Sequence, residues 1–410
     1  MPHSDLHGLP LTTTSATAAE AFSTTVRSYL RYRADISANL QATLAADPDF
    51  ALAHVLKGYL MMLSFKQANV PVAEKALETA GSLLGGANGR EKAHAAALRH
   101  WIEGDHDRTL AVWEQILDEH PRDVLALRLH HFNAFWLGRP GVMAREVEKA
   151  LPQYGTELAG WGTVLACRCF AHEELGNYTL AEASGRDAID VDKGDLWAAH
   201  AVAHVLEMQG RAGEGIDWLA DLEPHWEGAN NLKHHLWWHR GLYHFERGEF
   251  DTVLGLYDRN FRNLASPITE AQPDLYIDIQ NAASMLFRLE RLDRDCRQGR
   301  DAHRRLPLAL HAAALDDGAR GNAPFRCRRT DAGSHAHVCD DRRHSQRALC
   351  RRLRAADRRG HSPACQGRTG RRHARYASCH RRHVPSRRQS RTAGRARAAL
   401  PRLRCRGRLE

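Results

Sequence analysis

The sequence predicts an all-α chain of stacked helical hairpins, and three observations carry that prediction. From about Thr14 onward, Ala-, Leu- and Glu-rich segments with apolar residues at 3.6-residue spacing follow one another. Short Gly, Pro and Asp breaks separate them, and no convincing strand alternation appears in the body. The breaks also keep a beat: Gly104, Gly138, Gly176, Gly210 and Gly248 stand 34, 38, 34 and 38 residues apart.

A 34-residue step is the tetratricopeptide period, and four extra residues amount to about one helical turn. In that motif a glycine ends the first helix of each pair, and the second helix begins soon after. The strings EGDHDRTLAVWEQIL, LGRPGVMAREVEKAL, LGNYTLAEASGRDAI, QGRAGEGIDWL and RGEFDTVLGLYD fit it in turn. ADPDFALAHVLKGYL, residues 46–60, reads as another joint, and Pro121 and Pro224 close second helices. A lone pair cannot bury its apolar face, so neighbours must stack into a right-handed solenoid whose first helices line a concave surface. Residues 1–13 read as an N-terminal extension and 14–294 as the tetratricopeptide-like repeat domain.

The remaining residues, 295–410, differ in kind. Residues 1–294 hold 27 Lys and Arg against 40 Asp and Glu, whereas 295–410 hold 31 Arg, no Lys and 9 acids. All nine Trp lie in the first part and seven of nine Cys in the second. A basic nucleic-acid arm mixes Lys with Arg, and a zinc module pairs its cysteines closely. This tail does neither and has no C-x-x-C, so no specific nucleic-acid partner is expected. Its composition matches a GC-rich gene read out of frame. Dropping the first base of the His311 codon, plausible codons for HAAALDDGARGNAPF read TLPHWMMALAATRRF, with W-M-M following from Leu315, Asp316 and Asp317. The expectation is a frameshift near residues 288–295 and an irregular or disordered Arg-rich tail after it.

No secretory signal and no apolar run of 18 to 20 residues is present, which predicts a cytoplasmic protein that does not cross a membrane. Cys167 and Cys169 read as reduced core residues. Gly85, Gly86 and Gly89 follow no strand and mark a turn rather than a phosphate loop, and no G-x-S-x-G or dinucleotide fingerprint occurs.

Specific strings add a resemblance. HGLPLTT near residues 7–13, LAADPDFALAHVLKGYLMML (44–63), HAVAHVLEMQGR (200–211) and HHLWWHRGLYHFERGEFDTVLGLYD (234–258) resemble the tetratricopeptide repeat protein 38 family. The likeness runs in order from residue 5 to about 290, and the shifted-frame LPHWMMAL looks like the family's next segment. It implies an all-helical cytosolic repeat protein with no securely assigned activity.

Candidate function centres on residues 195–251. His200 and His204 are four apart on one helix face, and His235 and His239 repeat the spacing, with His244 further along. Such a pair can clamp a metal ion, but HAVAH lacks the Glu of H-E-x-x-H, which excludes a zincin-type hydrolase. The same imidazoles can line a polar groove or simply pack. Trp238 is expected as an aromatic wall, Trp197 as one edge of the groove, and Glu207 or Glu246 as an oxygen ligand or base. Adjacent Trp237 and Trp238 point about 100° apart on a helix, so only one can face a groove. One of His130 and His131 extends the same line. The sequence therefore predicts a non-catalytic scaffold with no cofactor, binding a protein, peptide or small ligand through His200, His204, His235, His239, His244, Trp197, Trp238 and Glu207. The alternative is a metal-dependent enzyme holding a divalent ion on His200, His204, His235 and His239.

Overall fold

The computed structural model describes residues 3–292, so the tail expected at 295–410 and its frameshift lie outside the described residues. Within them the predicted all-α, tetratricopeptide-like solenoid is observed. Helices pair along the chain: α1 (Ala16–Leu30) with α2 (Ile36–Ala46), α3 (Ala51–Met62) with α4 (Val70–Leu83), and α5 (Gly89–Ile102) with α6 (His106–Glu119). Next come α7 (Val124–Trp136) with α8 (Pro140–Ala150), α9 (Trp161–Glu173) with α10 (Tyr178–Val191), and α11 (Leu196–Met208) with α12 (Ala212–Leu222). α13 (Leu232–Glu246) pairs with α14 (Phe250–Leu256), which runs into a π-turn at Tyr257–Phe261. A short α15 (Pro267–Ala271) and a helix α16, residues 276–292, follow.

The glycine beat has a backbone cause. Gly104, Gly138, Gly176, Gly210 and Gly248 all take φ between +66° and +77°, the left-handed conformation that ends a helix at lowest cost in glycine. After each one, the next amide reaches back five residues to a helix carbonyl, as Arg211 N to Leu206 O at 2.8 Å and Glu249 N to His244 O at 2.9 Å. The second helix then starts two residues past the glycine in all five joints. The four extra residues of the 38-residue steps do not lengthen a helix. They form 3₁₀ turns and loops after α8 and α12, at Leu151–Gln153 and Glu223–His225, each with proline as its second residue.

First and second helices are buried differently. α10 hides Ala181, Ser184, Gly185, Ala188 and Ile189, one stripe at helical spacing. α7 buries every residue from Val124 to His131, and α11 every residue from Leu196 to Ala203. First helices are therefore enclosed on more than one side, which puts their polar side chains inside the protein.

Two features go beyond the sequence reading. The 1–13 extension holds a two-residue antiparallel ladder, His3–Ser4 with Pro10–Leu11, and is pinned to α5: Pro10 O accepts from Arg90 at 3.0 Å and Glu91 accepts from Thr12 N at 3.0 Å. The turn after α1 also packs against later repeats. Tyr32 O accepts from Asn230 N at 2.7 Å, Arg31 pairs with Asp192 at 2.7 Å, and the Tyr32 ring stacks on Trp197. Tyr32 and Phe65, each near +50° in φ, are the non-glycine residues in the left-handed region among the described residues. Phe65 packs at a tilt against Trp136 of α7 and edge-on against Tyr276 of α16. No described helix is long and apolar enough to cross a membrane.

Candidate metal centre

Successive first helices α11 and α13 lie side by side, so their i, i+4 histidine pairs face one another. The Nε2 atoms of His200 and His204 are 2.9 Å apart, those of His200 and His235 3.0 Å, and those of His235 and His239 3.2 Å. One nitrogen from each ring falls within 4.8 Å of the other three. A Zn–N bond of about 2.0–2.1 Å sets the edge of a tetrahedral nitrogen cage at about 3.3 Å. Three Nε2–Nε2 separations of 2.9–3.2 Å lie close to that edge, and no pair of the four ligand nitrogens is more than 4.8 Å apart.

The opposite ring nitrogens fix which atoms face inward. His239 Nδ1 is 3.0 Å from Glu207 Oε2. A carboxylate can only accept, so His239 Nδ1 carries a proton, and in the neutral ring Nε2 then presents a lone pair. His235 Nδ1 lies 2.9 Å from the Asn281 side-chain amide of α16. As placed, the Asn281 Nδ2 donates to Nδ1; with the amide turned over, its oxygen accepts from Nδ1–H and His235 offers Nε2 as a lone pair. Glu173, at the end of α9, points Oε2 toward His204 Nδ1 at 3.9 Å. Such outer partners orient the imidazoles of metal sites.

Electrostatics also favour neutral rings. Burial, then the neighbouring imidazoles, hold His200 and His204 well below the ordinary histidine range, and burial and His239 do the same to His235. Burial, then Glu174 and Glu207, push Glu173 up to about 8. His200 and His239 are sealed, whereas His204 keeps 28% of its side chain accessible and gives the cluster an outer edge.

No family model matches the chain. Among solved structures it is similar to the APC/C hetero-tetramer Cut9–Hcn1, at 12% identity and TM-score 0.46, over 67% of this chain and 53% of that one. It is also similar to a tetratricopeptide repeat protein from Parabacteroides merdae (15%, TM-score 0.39, 65% of this chain and 99% of that one). A third is the human IFIT1 dimer with PPP-AAAA (16%, TM-score 0.40, 61% and 64%). The match thus spans about half of the Cut9–Hcn1 chain. Likenesses of this strength carry no functional conclusion, and the hairpin stacking stands on the contacts described above.

The other residues expected at the site divide. Trp238 stacks on His235 with centroids 5.3 Å apart and planes 11° apart, while Trp237 turns away to donate to Glu223. Trp197 is 5% exposed, between Tyr32 and His200, and so is a buried wall rather than a groove edge. His244 is not part of the cluster: its Nδ1 pairs with Glu249 at the next joint. His131 does extend the line, edge-on to Trp197, and His130 pairs with Glu114. Glu173 and Asn281 were missed. Glu173 had a signal, because it stands three residues before Gly176 as Glu207 stands three before Gly210. Asn281 had none, since nothing local joins it to α13.

Proposed function

We propose that this chain is a helical-repeat scaffold that binds one divalent transition-metal ion on His200, His204, His235 and His239. The observation that carries the proposal is the convergence of four imidazole nitrogens, with Glu207 and Asn281 behind two of the rings. Nitrogen-only donors suit zinc, copper or nickel and not calcium or magnesium. Four protein ligands close a tetrahedral ion, which favours a structural clamp between α11 and α13 over a metal-dependent enzyme. Elemental analysis of the purified chain tests this: one zinc, nickel or copper per chain is expected, lost in a His200→Ala, His239→Ala double variant. Absence of metal after reconstitution with all three ions overturns it.

A second reading, docking of a protein or peptide partner, has its own support. Phe65, Trp136 and Tyr276 come from three separate elements and meet with centroids 5.5–6.0 Å apart, yet stay 39–45% exposed. Exposed aromatic clusters of this kind anchor partners. Replacing Trp136 and Tyr276 by Ala should abolish binding of any partner that the intact chain binds. The buried free thiols Cys167 and Cys169 fit a cytoplasmic setting.

We infer also that residues 295–410 are translated out of frame. Support comes from their Lys-free composition and from Leu286 and Phe287 of α16, which stay 45% and 58% exposed where a further hairpin would stack. Resequencing the codons for residues 285–300 tests this, and an intact frame there overturns it.

A further inference from the structure

The inner face carries a second polar cluster that the four histidines do not use. Arg128 of α7 is 2% exposed, and among the described residues no carboxylate pairs with it. Its guanidinium lies 4.1 Å from the Trp197 ring centroid and 5.4 Å from that of Tyr32, and Nη2 donates to the Tyr32 hydroxyl. Nη1 has no hydrogen-bond partner among the described residues. Beside it, Trp197 Nε1 and both ring nitrogens of His131 are likewise buried without partners. Asp195 feels the Arg128 charge but spends Oδ1 on the Trp197 and Ala198 amides.

A buried cation without a counter-charge is costly, and orphaned buried donors are few in native proteins. Several in one place, around a guanidinium, call for an acceptor that also carries negative charge. Repeat register strengthens the point. Arg128 stands ten residues before Gly138, as His200 stands ten before Gly210, so both occupy the same inward-facing step of their helices. The acceptors Arg128 meets among the described residues are neutral, the Cys167 thiol and the Tyr32 phenol, and Tyr32 has φ of +53° in the turn between α1 and α2. A non-glycine residue held there is strained and stays only because its surroundings hold it.

We propose that Arg128, His131 and Trp197 form an oxyanion site for the carboxylate or phosphoryl group of a small ligand, with Tyr32 as its gate. The ligand oxygen replaces the Tyr32 hydroxyl on Nη2 and takes Nη1, Trp197 Nε1–H and the His131 N–H as further donors. Trp197 lies against His200, with ring centroids 5.0 Å apart, so the ligand sits beside the histidine cluster without needing it.

The test uses the full chain, freed of metal, titrated calorimetrically with inorganic phosphate and separately with acetate at fixed ionic strength. Saturable 1:1 binding of at least one probe is expected, and the probe that binds tells phosphoryl from carboxylate. Arg128→Gln should weaken it by about tenfold or more, the loss of a charge-assisted hydrogen bond. Tyr32→Phe keeps the stacked ring but removes the competing hydroxyl, so it should tighten binding severalfold even if the Arg128 variant fails to fold. His239→Ala removes a proposed metal ligand away from Trp197 and should still bind the anion, which separates this site from the metal. If neither probe saturates the wild type or Tyr32→Phe, the orphan donors hold only water and the proposal is overturned. Equal affinity in a folded Arg128→Gln variant overturns it too.

Discussion

His239 Nδ1 and Glu207 Oε2 lie 3.0 Å apart, joining a sealed imidazole of α13 to a half-buried carboxylate near the end of α11. The bond crosses from one repeat to the next and holds the His239 ring with Nε2 inward. Glu207 touches no proposed ligand nitrogen, so its removal should leave the four donors in place but unsteady. Glu207→Ala is expected to lower metal affinity by about 10- to 100-fold, the usual range for such outer partners. Competition against a chromophoric chelator measures it. Glu207→Gln should lose less, because an amide oxygen can still accept from Nδ1–H.

The metal should also act as a clamp on stability. An ion that binds only the folded chain stabilises it by RT ln(1 + [L]/Kd), about 2.7 kcal/mol at a hundredfold excess over Kd. Thermal melts with zinc and with chelator should therefore differ by several degrees. In His200→Ala, His239→Ala the two melts should superpose. A metal-dependent shift that survives the double variant would place the ion elsewhere.

These expectations rest on residues the sequence exposes unequally. The i, i+4 pairs of His200 with His204 and His235 with His239 are local, so helical spacing alone aligned them, and the glycine beat put them on neighbouring first helices. Whether the two pairs met depended on how α11 and α13 pack, which periodicity does not encode. His244 shows the limit: it shares the helix but faces the next joint, where Glu249 takes it. The long-range contacts of the α1–α2 turn were still less legible. Arg31 and Asp192 are 161 positions apart in the chain, and no local pattern announces that pairing. Nothing in the sequence singled out Arg128, because burial of every residue from Val124 to His131 leaves no polar stripe to betray it.

A buried charge network should govern the acid limb of stability. Asp123 Oδ2 accepts from Arg90 at 2.9 Å and lies 3.0 Å from His94 Nε2, and Oδ1 caps α7 through Ala126 N. Burial alone would raise the Asp123 carboxyl, but His94 and Arg90 outweigh it and hold it well below the ordinary carboxylate range. A depressed acid contributes stability that is present above its ordinary value of 3.8 and is lost as pH falls below it. Asp5 is pushed up by burial and works the other way, but at pH above 3.8. Between pH 4 and pH 2, wild type should therefore lose more stability than Asp123→Asn, as read by urea denaturation at each pH. Asp123→Ala leaves Arg90 buried without this partner and should cost about 3–5 kcal/mol near neutrality.

Two glycines of the α11–α12 joint should respond to alanine for different reasons. Gly210 sits at φ +69° with no atom within 4 Å of an added Cβ, so Gly210→Ala meets only backbone strain, about 1–2 kcal/mol. Asn visits this conformation more readily, so Gly210→Asn should cost less. Gly215 lies inside α12, and a Cβ there would come within 2.3–2.8 Å of the Tyr243 ring. That ring cannot easily give way, because its hydroxyl donates to Ala203 O in the buried interface between α11 and α13. Gly215→Ala should cost about 1–3 kcal/mol by overpacking. A Tyr243→Leu background should relieve the Gly215 variant and leave the Gly210 variant unchanged, because only the first cost depends on the ring. Urea midpoints at constant m-value separate the two. Relief of Gly210→Ala by the Tyr243 change would mean that the beat is set by packing, not by the left-handed turn.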